Sequence, residues 1–126
     1  MRAVDTNVLV RILARDDPKQ LRAADAFVAE GAWVSLLALA ETMWVLTTVY
    51  GRDAAEIGAS VEQLLNHKDL ILQDRDVVAA ALGTFRSRPA LGFTDGLLLE
   101  VARKAGHLPL GTFDRNLSKI DGAERL

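Results

Sequence analysis

The chain has 126 residues, 50% hydrophobic and 25% charged, with a formal net charge of −2 and no cysteine. That is one domain's worth of sequence, and its ordinary composition excludes a disordered, collagen-like or low-complexity chain. The lack of cysteine excludes a disulfide scaffold, a thiolate zinc site and a cysteine nucleophile, and the net charge taken alone counts against a nucleic-acid binder.

Arg2 to Asp5 reads as a short strand, followed by a helix from about Thr6 to Ala14. Asp17-Pro18 pairs an N-cap acceptor with a proline at the first helical position. Leu21, Ala24, Phe27 and Val28 give that helix its apolar stripe, and Gly31 is its expected stop. Trp33-Val34-Ser35 is a second strand, and Leu37 to Tyr50 is a strongly apolar helix ended by Gly51. Asp53 and Glu56 form a capping-box pattern, with Asp in the place of Ser or Thr. Ile57, Val61, Leu64 and Leu65 then share one helix face. Leu70 to Gln73 is a third strand. Asp74 is the expected cap of a helix that turns Val77, Val78, Ala81, Leu82 and Phe85 inward. Arg86 to Gly92 reads as a loop, with Thr94 the expected cap of a helix from Asp95 to Ala105 and Gly106 past its end. Leu108 to Thr112 is a fourth strand, Asp114 to Lys119 a short helix, and Ala123 to Leu126 a last edge strand.

Strands alternating with helices imply an α/β fold with a short, mainly parallel central sheet covered on both faces. The longest nearly uncharged run, Gly31 to Gly51, carries Glu41 in its middle, which speaks against a membrane span. The N-terminus meets Asp5-Thr6-Asn7 before a signal-peptide core can form, so the expected address is the cytoplasm.

Most charges sit at caps and on polar helix faces, but four acids do not. Asp5 is the only charge between Ala3 and Val10, Glu41 the only one between Gly31 and Gly51, and Asp95 the only one between Pro89 and Leu99. Asp114 ends a run from Ala105 whose only other ionisable residue is His107. Each stretch is expected to be largely buried. Glu41 has Leu37, Ala38, Trp44 and Val45 at helical spacing, which places its carboxylate on the expected core stripe. A buried ionised acid costs several kcal/mol unless it is paired or metal-bound.

Asp5 ends the first strand and Asp114 lies just past the fourth, where open α/β sheets bind ligands. Four carboxylates converging there, without His or Cys, describe a hard-cation site for Mg²⁺ or Mn²⁺. Each also has a plainer reading. Asp95 can be a favourable charge at a helix start, Asp114 a cap, Asp5 a turn residue, and Glu41 a structural ion-pair partner. With the four acids set aside the remainder carries +2, which allows a mildly basic rim. Trp33, Met43, Trp44 and Phe85 are expected in the core. No phosphate loop and no Gly-x-Ser-x-Gly elbow is present.

Asp5-Thr6-Asn7 after a strand, Glu41 in an apolar helix, Phe93-Thr94-Asp95 and Thr112-Phe113-Asp114 together resemble the PIN-domain ribonucleases. The nearest likeness is to the toxin half of VapBC-type toxin–antitoxin pairs, over essentially the whole chain. The resemblance implies a single domain, 1–126, with a three-layer α/β/α sandwich. It also implies endonucleolytic RNA cleavage with one or two Mg²⁺ or Mn²⁺ ions, a homodimer, and a small inhibitory antitoxin. Carried over by position, Asp5, Glu41, Asp95 and Asp114 are the catalytic and metal-binding acids, and Asn7 and Thr112 are supporting polar residues. Asn116 stands where many relatives have a further acid, and supports a metal-bound water. Arg11, Arg86, Arg88 and Arg115 are the expected RNA-steering cations. Two other readings fit the α/β alternation: a receiver-type domain phosphorylated on Asp74, and a PIN-like nuclease acting on DNA.

Overall fold

A computed structural model describes residues 1–126, which fall into two compact units, Met1–Arg75 and Asp76–Leu126. The first unit runs β1 (Arg2–Ala3), α1 (Thr6–Ala14), α2 (Pro18–Val28), β2 (Ala32–Val34), α3 (Leu36–Thr48), α4 (Ala54–Leu65) and β3 (Leu70–Leu72). Its strands are parallel in the order β1-β2-β3, with Ala3 opposite Trp33 and Trp33 opposite Ile71. Because side chains alternate along a strand, Ala32, Val34, Leu70 and Leu72 enter the core while Trp33 and Ile71 stay 37% and 55% exposed. The expectation of Trp33 in the core is therefore corrected. In β2 and β3 burial alternates with the period of two.

Helix starts in this unit follow local chemistry. Asp17 accepts from Gln20 N at 3.0 Å, with Pro18 at the first helical position. Ser35 Oγ accepts from Ala38 N at 3.0 Å. Asp53 and Glu56 close both halves of a capping box, at 2.8 and 3.1 Å. Each such cap satisfies an otherwise orphaned backbone donor and contributes about 1 kcal/mol. The core of α3 is Ala38, Leu39, Thr42, Met43 and Leu46, and α3 packs on α1.

The second unit holds α5 (Arg75–Ser87, whose first residue closes the first unit), α6 (Phe93–Ala105), β4 (Leu110–Thr112), a 3-10 turn at Leu117–Lys119, and β5 (Ala123–Arg125). β4 and β5 form their own parallel two-stranded sheet, with Leu110 opposite Ala123 and Thr112 opposite Arg125. Leu91, Leu99 and Leu117 form a buried cluster, flanked by Leu110, Ile120 and Ala123. Phe85 and Phe93 meet edge to face at 6.2 Å. Thr94 does not cap α6. The helix begins at Phe93, and Gly92 occupies the N-cap at φ +54°, a conformation that suits glycine. Helix α5 likewise reaches Ser87, past the expected loop start at Arg86. All five strands pair in parallel, three in the first unit and two in the second, as the expectation of a short, mainly parallel sheet structure has it. No helix is long and apolar enough to cross a membrane.

Candidate active site

In the first unit Asp5 lies two residues beyond β1 and is the N-cap of α1. Its backbone is extended, and Oδ1 accepts from Val8 N at 3.2 Å. The capped oxygen fixes the carboxylate at the strand end, while the side chain remains exposed. Asn7 is exposed in the first turn of α1, and lines a groove of about 300 Å³ with Arg11, Gln20 and Phe27.

Arg11, expected as an RNA-steering cation, is committed elsewhere. Its Nε donates to Gln20 Oε1, and its Nη1 donates to Asp16 Oδ1 and to Tyr50 Oη, each at 3.3 Å. Tyr50 in turn donates to Asp16 Oδ2 at 3.0 Å. Asp16 and Tyr50 lie far enough from Arg11 in sequence that its helical spacing gave no sign of this network.

Glu41 calls for the largest correction. It is exposed, and its same-face neighbours Leu37 and Trp44 are 76% and 62% exposed. The carboxylate therefore stands on the open face of α3, and Trp44 is not core. The physical reason is that α3 is apolar around almost its whole circumference, so helical period alone does not say which stripe is buried.

In the second unit Asp95 is the third residue of α6 and half-buried. Burial, and then the negative charge of Asp114, hold its carboxyl above the usual aspartate range. Asp114 lies two residues past β4. Its backbone N–H donates to Thr112 Oγ1 at 3.0 Å, and its Oδ1 accepts from Asn116 N at 2.7 Å and Leu117 N at 2.8 Å. This is the side-chain-to-backbone turn that aspartate favours, and it sets Thr112, Asp114 and Asn116 along one bend. Asp114, like Asp5, is exposed rather than buried. A residue at a strand end is lifted out of the apolar run that precedes it.

Arg86, Arg88 and Arg115 are all exposed. Arg88, Asn116 and Lys119 line a cavity of about 250 Å³ with Pro89, Ala90 and Leu91. Lys119 escaped sequence reasoning. Its signal was its place one turn after Arg115, in the segment that Asp114 opens.

No group of three or more His, Cys, Asp or Glu side chains is gathered so as to hold a metal ion alone. The donors that are present still fit a hard divalent cation. They are carboxylate oxygens, and Asp95 lies within the field of Asp114. Mg²⁺ is commonly held by one or two carboxylates together with substrate phosphate and water, rather than by an all-protein cage.

The family model described as PIN domain matches residues 2–123. No curated protein and no solved structure matches the chain. PIN domains are generally nucleases that typically use divalent metal ions. Six helices with short parallel strands agree with the α/β/α class of that family. All four singled-out acids lie inside the matched span, which runs from Arg2 to Ala123, and the chain belongs to the PIN-domain family.

Proposed function

We propose that the chain is a single PIN-type nuclease domain, 1–126, that cleaves RNA phosphodiester bonds with Mg²⁺ or Mn²⁺. The observation that carries this reading is the match of the PIN family, whose members are generally nucleases, over residues 2–123; half-buried Asp95, within the field of Asp114, accords with it. Carboxyls raised by burial and a neighbouring charge cluster at functional sites. By resemblance to the family alone, Asp5, Asp95 and Asp114 would hold the ion. When bound, it would acidify a water and neutralise charge on the phosphodiester. By the same resemblance, Glu41 would offer a carboxylate oxygen as the base for that water. Thr112 fixes the backbone of Asp114 through its hydroxyl oxygen, and Asn116 supports the same bend. Arg88 and Arg115 are the cations placed to steer phosphate.

On the resemblance to VapBC-type toxins, the protein works in the cytoplasm as a homodimer and is restrained by a small antitoxin. Overexpression without that partner should then arrest growth, and arrest should require Asp5.

The test is cleavage of total RNA and of a matched single-stranded DNA by purified protein with Mg²⁺ or Mn²⁺. The expected result is RNA cleavage that disappears with EDTA and with Asp5→Asn at unchanged circular dichroism. Cleavage that survives both would overturn the reading, and cleavage of DNA alone would move the substrate to DNA.

A further inference from the structure

Two short turns of the second unit carry unpaired cations to the same place. In the first, Leu91 N donates to Arg88 O at 3.0 Å, bending the chain through Pro89 and Ala90. In the second, Lys119 N donates to Asn116 O at 3.3 Å. Leu91 and Leu117 pack in one buried cluster, and this clamps the two turns side by side. The cavity of about 250 Å³ between them is lined by Arg88, Pro89, Ala90, Leu91, Asn116 and Lys119. The side chains of Arg88 and Lys119 are exposed and have no ion-pair partner. The Asn116 side-chain amide is likewise uncommitted; only its backbone N–H is used, by Asp114.

We infer that this cavity is a subsite for one unpaired nucleotide of the RNA, with its phosphate between Arg88 and Lys119 and its base against Pro89, Ala90 and Leu91. The inference rests on the ribonuclease reading above. Charge complementarity selects the ligand. Two cations and a free amide present only donors at the rim, apart from one amide oxygen, and the remaining wall is apolar. That combination suits an anionic group joined to a flat apolar one. Asp114, two residues before Asn116, has its Oδ1 turned onto the backbone N–H groups of Asn116 and Leu117, which offsets part of its repulsion of a phosphate. Through Asn116 the cavity adjoins Asp114, so a nucleotide seated there would position a neighbouring phosphodiester beside the acid-bearing bend. A duplex keeps its bases stacked inside and cannot place one in such a cavity, whereas single strands splay bases readily. Arg88 and Lys119 are positioning residues in this scheme, not catalytic ones.

The experiment measures binding apart from cleavage. Fluorescence anisotropy of a short labelled single-stranded RNA is followed in EDTA, with full-length wild type, Arg88→Gln, Lys119→Gln and Arg88→Lys. Arg22→Gln, an exposed cation on α2, is the control, and melting curves verify that all variants fold. Each Gln variant should weaken binding several-fold at low salt. Each should also flatten the slope of log K against log salt, and losing both cations should flatten it by about 0.7, the loss of one phosphate contact on a single strand. Arg88→Lys should recover most of the affinity, and Arg22→Gln should change neither readout. With metal restored, KM should rise while kcat holds. Adenosine monophosphate should shift the Asn116 side-chain amide and Leu91 backbone amide resonances, and inorganic phosphate should shift Asn116 alone. Unchanged affinity and slope in both Gln variants would overturn the subsite while wild-type cleavage left the ribonuclease reading standing. Cation-dependent RNA binding with no metal-dependent cleavage would do the reverse. Equal affinity for duplex RNA of the same sequence would overturn the assignment to an unpaired nucleotide.

Discussion

Glu41 and Asp95 look alike in sequence, each a lone acid in an apolar helix, yet the fold treats them differently. Glu41 sits in the second turn of α3 on a face where Leu37 and Trp44 are open to solvent. Asp95 sits in the first turn of α6, half-buried, within the field of Asp114. Apolar neighbours in sequence do not bury a charge. A helix start set close to a second carboxylate creates electrostatic cost even when it is only partly covered. Of the two, Asp95 is the group whose charge its surroundings oppose, and Glu41 stands on an open face.

That difference can be broken in three ways, taken from the largest effect downward. Removing the proposed base by Glu41→Gln should lower RNA cleavage by roughly 10²–10⁴-fold, the usual contribution of a positioned acid–base group. Melting should be unchanged, because the side chain is exposed. Near-wild-type cleavage by a folded Glu41→Gln protein would remove Glu41 from the site.

The second tests the face assignment of α3 directly. Met43→Ala should cost about 2–5 kcal/mol in chemical denaturation, as for other buried Met-to-Ala changes. Trp44→Ala, one residue along, should stay within about 0.5 kcal/mol, as for exposed positions. Reversed magnitudes would restore the stripe expected from the sequence.

The third and smallest concerns Asp95 without metal. A raised carboxyl means that the folded state binds its proton more tightly than the unfolded state. This group's contribution to stability is therefore most favourable at acid pH. It declines as pH rises from the ordinary aspartate range through the raised value of Asp95. Asp95→Asn cannot ionise and should lack that decline, so near pH 7 it should melt at or slightly above the wild-type temperature. The two curves should converge on acidification. A variant that is less stable at pH 7 and equally so at pH 4 would show Asp95 to be a structural hydrogen-bonding residue.

What the sequence made legible was mostly local. Asp17-Pro18 and the Asp53–Glu56 box name their helix starts because a cap joins residues only three apart. Gly106 marks the end of α6 for a similar reason, at φ +82°. Gly92 took the start of α6 instead of Thr94 because a positive φ, invisible in the residue pattern, set the chain's entry. The open face of α3 was illegible, since Leu37, Trp44 and Met43 are equally apolar and only packing separates them. Asp5 and Asp114 were correctly placed at strand ends, but their exposure was not foreseen. Arg11 and Lys119 depended on long-range neighbours: an Asp16–Tyr50 network took the one, and the clamp between Leu91 and Leu117 placed the other.

The central claim is that Asp95 and Asp114 together hold the divalent ion. Calorimetric titration of Mn²⁺ into wild type, Asp95→Asn, Asp114→Asn and the exposed-face control Asp25→Asn tests it most directly. At a hundredfold excess over Kd, Mn²⁺ should add about 2.7 kcal/mol to wild-type stability, so parallel melting curves report the same event. Wild-type binding should be matched by Asp25→Asn and weakened at least about tenfold in each of the other two, since each Asn removes one negative charge and one carboxylate oxygen. Mn²⁺ binding of equal strength in all four proteins would contradict it.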